Sequence, residues 1–96
     1  MKVKRHYKFR LYMAGGTQNS ALALRNFQTL CRDHLPNCHE IEIVDVLKEP
    51  KRALRDGIFM TPALFRMAPS PKLSIVGTLS HPQTVLSALD LHAAAP

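Results

Sequence analysis

Hydrophobic and polar residues alternate from Tyr7 to Met13, and this two-residue period predicts a strand with one buried face. The turn that follows, AGGTQNS (residues 14–20), leads into a stretch in which apolar residues recur at helical spacing. Thr17 or Asn19 is expected to cap this helix, because either side chain can accept a hydrogen bond from a free backbone N–H group. The Pro-Asn pair at 36–37 ends it.

The middle of the chain predicts further strands around a short helix. The segment EIEIVDVL (residues 40–47) becomes almost continuously apolar, which is typical of an interior parallel strand. A helix is predicted to begin at Pro50 and to be closed by Gly57. Two more strands are predicted over IFMTPALFRM (58–67) and KLSIVG (72–77).

The last helix is expected to begin with a capping box. Ser80 stands three residues before Gln83, and Pro82 suits the first helical turn. The resulting order is βαβαββα, in a single domain over residues 1–96. Short βαβ units followed by a hairpin and a covering helix make a thioredoxin-like α/β arrangement.

Composition indicates a globular protein with a strong positive charge. The 96 residues are 46% hydrophobic, and 13 Lys and Arg against seven Asp and Glu give a formal net charge of +6. No apolar run approaches the roughly 20 residues of a membrane-spanning helix, so no membrane partner is expected. The basic start, residues 1–10, has no signal-peptide core, so a cytoplasmic location is expected. Nucleic acid is disfavoured as a partner, because neither an RNA-binding aromatic signature nor a zinc-finger spacing is present.

Groups that could carry chemistry are sparse. The AGGTQNS turn stands where thioredoxin-like redox proteins carry C-x-x-C, but it holds no thiol, carboxylate or histidine. The zinc-ligand residue types that lie close in sequence are Cys31, His34, Cys38 and His39. Their spacing matches no common zinc site, and Cys31 shares the apolar stripe of its helix, so no metal is expected. The scattered carboxylates suggest no dyad. We therefore expect no catalytic residue, no cofactor and no enzymatic activity.

The Thr61-Pro62 pair stands where thioredoxin-like folds place a cis proline at the start of the third strand. The fold favours a cis bond here, and a trans proline at a strand start is the alternative. Either form shapes the surface beside the AGGTQNS turn and supplies no reactive group.

Five segments between Tyr7 and about Leu91 resemble the KaiB family, in the same order and without gaps. They are LYMAGGTQNSALAL, IVDVLKEP, TPAL, PSPKLSIVGTLS and VLSALDL. Members of that family also lack the redox cysteines. The resemblance implies a circadian-clock protein that docks on the first ATPase ring of KaiC, sequesters KaiA, and alters KaiC phosphorylation and output kinases.

The resemblance also implies two alternative folds. The C-terminal half of the family adopts either the thioredoxin-like order or a βαββααβ order that self-associates into tetramers. The residues expected to influence this choice are Thr61, Pro62, Ser80, Ala88 and Asp90. Ala88 replaces a usual glycine, and alanine is favoured inside a helix by about 0.5–1 kcal/mol. With the Ser80 cap, this predicts that residues 80–91 are helical and that the thioredoxin-like form predominates.

The docking surface is expected on the second helix and its flanks. Its candidate residues are Lys48, Lys51, Arg52, Arg55 and Gly57. The expected partner is a KaiC-like ATPase or a related signalling kinase, whose acidic edge these cations could meet; an ordinary solvated helix face is the alternative for each of them. Glu42 replaces a lysine usual on the second strand, and this charge reversal disfavours KaiA binding.

Two functions of other classes stay open at this point. A thiol-based redox or stress-response protein would use Cys31 and Cys38, and it requires an exposed thiol of low pKa. A nucleic-acid-binding module would use the basic N-terminal strand, and its binding would depend steeply on salt.

Overall fold

The computed structural model describes residues 6–91, which fold around a four-stranded sheet. The strands are β1 (Tyr7–Met13), β2 (His39–Asp45), β3 (Ala63–Ala68) and β4 (Leu73–Val76), and the helices are α1 (Gln18–His34), α2 (Pro50–Arg55) and α3 (Pro82–Ala88). The order across the sheet is β2-β1-β3-β4, with β1 parallel to β2 and antiparallel to β3. The chain order βαβαββα is the one that the sequence predicts.

Some of the predicted features fall outside the described range. The described range does not include residues 1–5, which hold part of the basic start, or residues 92–96. Within residues 6–91, none of the helices combines the length and the apolar character needed to cross a bilayer.

The alternation in β1 decides which face of the sheet carries the main core. Tyr7, Phe9 and Leu11 are almost completely buried, and they join a cluster to which α1 and α3 both contribute. Phe9 meets Phe27 of α1 edge to face, with 4.7 Å between ring centroids. Apolar residues recur on one stripe of α1, and this stripe is buried. The polar residues on the opposite side of the helix face solvent.

The other face of the sheet carries a much smaller cluster. Tyr12, Val44 and Ala63 are buried there, with Ile58 and Phe65 among the partly buried residues packed against them. The helix on this side is α2, which has only six residues and one buried residue, Ala53. It begins at Pro50, and Gly57 follows its end with φ +71°, so both predicted ends are confirmed.

Two strand predictions were wrong in position. β2 lies at the edge of the sheet and not in its interior, and Ile43 is 47% exposed. Its apolar run suggests an interior strand with a neighbour on each side, but in the described sheet β2 has β1 as its one neighbour. β3 begins at Ala63, and residues 58–62 lie outside any strand. Pro62 has no N–H group to donate to a neighbouring strand, which explains the late start.

The prediction for the start of α3 was also wrong. His81 is the N-cap, and no side chain caps the helix. The chain turns at Leu79, which is buried with φ +59°, and the Ser80 hydroxyl lies 3.1 Å from that of Thr78. The capping box with Gln83 is therefore not formed.

The end of α3 comes earlier than residue 91. Ala88 is the last helical residue and is exposed, so it does not occupy the mid-helix position on which the alanine argument depends. Asp90 follows with φ +49°, and Leu91 donates its N–H to the Leu86 carbonyl at 2.8 Å. The chain turns here because Leu89 and Leu91 are both buried in the core.

The region around β3 contains one feature that the sequence analysis favours and others that it does not indicate. Thr61-Pro62 is cis, the form that the fold favours, and the Ala68-Pro69 and Ser70-Pro71 bonds are cis as well. Arg66 of β3 is only 1% exposed. Its guanidinium donates to the carbonyl of Asp90 at 3.2 Å and to that of Pro71 at 3.0 Å. A buried cation thus links the chain after α3 to the turn before β4.

Candidate docking surface

The turn between β1 and α1 uses its polar groups for local structure. The Gly15 N–H donates to the Asp45 carboxylate at 3.0 Å, and the Ala14 N–H donates to the Ser20 hydroxyl at 3.1 Å. Asp45 also accepts from the Leu47 N–H, and these backbone bonds hold the pKa of its carboxyl below the ordinary value. Thr17 occupies the N-cap position of α1 without a side-chain bond. The turn therefore presents backbone and small polar groups.

The two cysteines are buried in the main core. Burial, followed by the neighbouring Cys38, raises the pKa of the Cys31 thiol to about 12. His39 of β2 lies with its Nδ1 2.8 Å from the Leu35 carbonyl. Among the described residues, no three His, Cys, Asp or Glu side chains form a group that could hold a metal ion. The redox alternative requires an exposed thiol of low pKa. The burial of both thiols and the raised pKa of Cys31 disfavour it.

The candidate docking residues lie around α2. Lys48, Lys51 and Arg55 are exposed, and with Pro50 they line an open groove of ≈ 490 Å³. Gly57 is exposed, and a Cβ added there would meet nothing within 4 Å. The left-handed backbone at Gly57 is the reason for glycine at this position.

Arg52 differs from the other cations of α2. Its Nη2 donates to Glu42 Oε2 at 2.7 Å, and its Nη1 lies 3.5 Å from Glu49 Oε1. Glu42 also accepts from Arg10 Nε at 2.7 Å. Hydrogen bonds from Arg52 and then Arg10 hold the pKa of Glu42 below its ordinary value. The bond to Glu42 raises the pKa of Arg52, and the bonds to Tyr12 and then Glu42 raise that of Arg10. Arg52 is thus engaged within the chain, while Lys48 and Lys51 are directed to solvent.

A second group continues this network toward the small core. The Tyr12 hydroxyl donates to Asp56 Oδ2 at 2.5 Å, and Arg10 Nη1 lies 3.7 Å from the same oxygen. Burial, and then the bond to Asp56, raises the pKa of Tyr12, whereas the Tyr12 hydrogen bond lowers that of Asp56. Asp56 is also paired with Arg55 at 3.4 Å. The chain after α2 is therefore tied to the middle of β1.

Sequence reasoning missed this network although its residues were visible. Arg10 and Glu42 are direct neighbours in the parallel register of β1 and β2, a relation that appears only when the register is known. The spacing of Arg10 and Tyr12, two residues apart on one strand, is the one available sequence signal that they share a face.

Known proteins resemble this chain over most of its length. The family model of the KaiB domain matches residues 10–91. The circadian clock oscillator protein KaiB of Nostoc punctiforme is 37% identical over 91 residues, which cover 95% of this chain and 88% of that protein.

Solved structures confirm the thioredoxin-like α/β fold. The N-terminal domain of Synechococcus elongatus SasA matches with a TM-score of 0.70 at 12% identity, covering 94% of this chain and 89% of that one. The Drosophila melanogaster thioredoxin Deadhead matches with a TM-score of 0.68 at 17% identity, covering 86% of this chain and 79% of that one.

Proposed function

The chain belongs to the KaiB family, and we propose that it is a clock regulatory protein that docks on a KaiC-like ATPase ring. Docking would alter the phosphorylation of the ATPase or the signalling of its output kinases. The clock role is supported by the name of the relative that is 37% identical over 91 residues. In this proposal the chain acts by binding its partner.

The observation that carries the proposal is the exposed cationic side of α2. Lys48, Lys51 and Arg55 line one groove and point into solvent, on a protein whose formal net charge is +6. Such a surface attracts an acidic partner and raises the rate of encounter. Arg52 is paired with Glu42 and Arg55 with Asp56, whereas Lys48 and Lys51 are exposed.

KaiA is not among the partners that we propose. Glu42 reverses the charge expected on the second strand of the family, and its carboxylate is already bonded to Arg10 and Arg52. At this position β2 therefore carries a carboxylate neutralised by two arginines, where the family usually has a lysine. KaiA binding through that lysine is not available to this chain.

The test is a binding measurement between the purified protein and the KaiC-like ATPase of the same organism. Wild-type protein should co-elute with the ATPase ring in size-exclusion chromatography. Charge reversal at Lys51→Glu/Arg55→Glu should weaken the complex by about tenfold or more, since it places like charges at the interface.

The matched control is Arg25→Glu/Arg32→Glu on α1. It changes the net charge equally and is also exposed, but it lies on the helix that covers the other face of the sheet. Affinity should be retained in this control. Equal weakening by both pairs would show that net charge matters and α2 does not, and absence of any complex with wild-type protein would remove the proposal.

A further inference from the structure

Four of the six exposed large apolar side chains of the described chain lie together around Phe59. The exposed fractions are 91% for Phe59, 75% for Leu54, 64% for Met60 and 52% for Val76. We call these four residues the Phe59 surface. Contiguous apolar groups of this kind mark interaction sites in folded proteins, and aromatic residues and methionine are enriched at such sites.

Two open grooves lie on either side of Phe59. One, of ≈ 390 Å³, runs between α2 and residues 58–61 and includes Leu54. The other, of ≈ 250 Å³, runs between the same connection and the sheet and includes Phe65 and Val76. Phe59 and Met60 line both grooves, so they form a ridge between them. A ridge with a groove on each side fits two apolar side chains from one bound segment.

The backbone holds Phe59 in this exposed position. The Gly57 N–H donates to the Leu54 carbonyl at 3.1 Å, and the Ile58 N–H donates to the Ala53 carbonyl at 2.9 Å. Ile58 itself packs against the small core of the sheet. The surface is therefore formed before any partner arrives, which reduces the entropy lost on binding.

Positive side chains predominate around the Phe59 surface. Lys51 and Arg55 lie on α2, on either side of Leu54 in sequence, and Lys72 Nζ is 6.0 Å from the centroid of the Phe65 ring that lines the second groove. The carboxylate at the end of α2, Asp56, accepts from Tyr12 and is paired with two arginines, so its charge is compensated.

This charge pattern distinguishes between partners. A second copy of the chain would bring the same net charge of +6 to the contact, and like charges oppose association. A segment with carboxylates beside its apolar side chains would instead be attracted to the cations at the edge.

We propose that the Phe59 surface binds an acidic amphipathic segment of a partner protein. The segment places apolar side chains in the two grooves and carboxylates against Lys51, Arg55 and Lys72. This inference adds the chemistry of the bound segment to the docking function and rests on it. Its test uses peptides and no ATPase, so a failure of this inference can be distinguished from a failure of the docking proposal.

The experiment selects peptides from a random display library on the immobilised full chain. Enriched peptides should carry two large apolar residues at helical spacing with Asp or Glu beside them. A synthetic peptide of the enriched sequence should bind Phe59→Ser and Leu54→Ser at least about tenfold more weakly than wild type. Ile43→Ser, which removes an exposed apolar side chain from β2, is the matched control and should change the affinity by less than about twofold.

Four results would overturn the proposal. Enriched peptides could be basic, or could bind Phe59→Ser as tightly as wild type. Sedimentation could show a concentration-dependent dimer that Phe59→Ser abolishes, which would assign the surface to a second copy. Vesicles of phosphatidylglycerol could bind the protein in a Phe59-dependent way, which would assign it to a lipid surface. Far-UV circular dichroism of each variant verifies that the fold is retained, as expected for exposed positions.

Discussion

The two faces of the sheet differ in how completely helices cover them. On one face, α1 with 17 residues and α3 with seven enclose a core that includes Phe9, Phe27 and Leu64. On the other face, α2 has six residues, and the buried cluster contains only Tyr12, Val44 and Ala63. The first face supplies most of the buried apolar area and so most of the stability. The second face leaves apolar and cationic groups at the surface, where a partner can use them.

Polar groups differ between the faces as well. On the covered face, Arg66 is held by two backbone carbonyls, with its guanidinium removed from solvent. On the open face, Arg10 and Arg52 share the carboxylate of Glu42 near solvent. Exposed pairs of this kind contribute little to stability and can be changed without unfolding the protein. Substitutions on the two faces should therefore have different consequences.

The largest difference is expected between two phenylalanines. Phe27→Ala, in the covered core, should lower the free energy of unfolding by about 3–5 kcal/mol, because it removes buried apolar surface and leaves a cavity. Phe59→Ala, on the open face, should change it by less than about 0.5 kcal/mol. Urea unfolding followed by circular dichroism measures both. Similar losses for the two variants would show that the open face is more important for folding than its burial indicates.

The chemical protection of Cys31 tests the covered face next. With a pKa of about 12 in place of the ordinary 9.0, its thiolate fraction near neutral pH should be about 1,000-fold lower. In a Cys38→Ser background, alkylation of Cys31 should therefore be very slow in the folded protein and rapid after unfolding in urea. Rapid alkylation of the folded protein would instead support the thiol-based alternative.

The smallest effect is expected for the ion pairs of the open face. Because the pKa of Glu42 is lowered in the folded state, its bonds to Arg52 and Arg10 stabilise the fold above the ordinary pKa of 4.5. This contribution is lost as the pH falls through the lower, folded-state pKa. Glu42→Gln should reduce stability by about 0.2–1 kcal/mol at pH 7, and the difference from wild type should shrink in acid.

Glu49→Gln is the control for this experiment. It removes the same charge beside the same arginine, at the longer distance of 3.5 Å, and should have a smaller effect at pH 7. The free energies of unfolding of wild type and Glu42→Gln could instead differ by the same amount at pH 7 and in acid. That result would contradict the linkage between this carboxylate and folding.

Much of the fold was predictable because local patterns and tertiary packing agree. The alternation over Tyr7–Met13 and the apolar stripe of α1 are both satisfied by one core. Pro50 and Gly57 mark the ends of α2 through their own backbone preferences. Errors arose where neighbouring segments decide the outcome. Ser80 has the chemistry of a cap, but the buried Leu79 directs the chain so that the helix begins later.

The candidate site was predictable in part. Residue type and spacing identify the cations of α2, since a charged side chain retains its charge in any fold. They do not show that Arg52 is engaged by Glu42, ten residues earlier in the chain. They also place Phe59 in a strand, whereas residues 58–62 lie outside any strand and Phe59 is exposed.

The sequence by itself determined the element order, the buried stripe of β1 and α1, and the positive charge of α2, because these depend on side-chain chemistry and on spacing within single segments. Only the tertiary structure decided which strand is at the edge, which arginine is engaged and which phenylalanine is exposed. These properties depend on distances between segments far apart in the chain, and a helix of six residues is too short to cover the face that it meets.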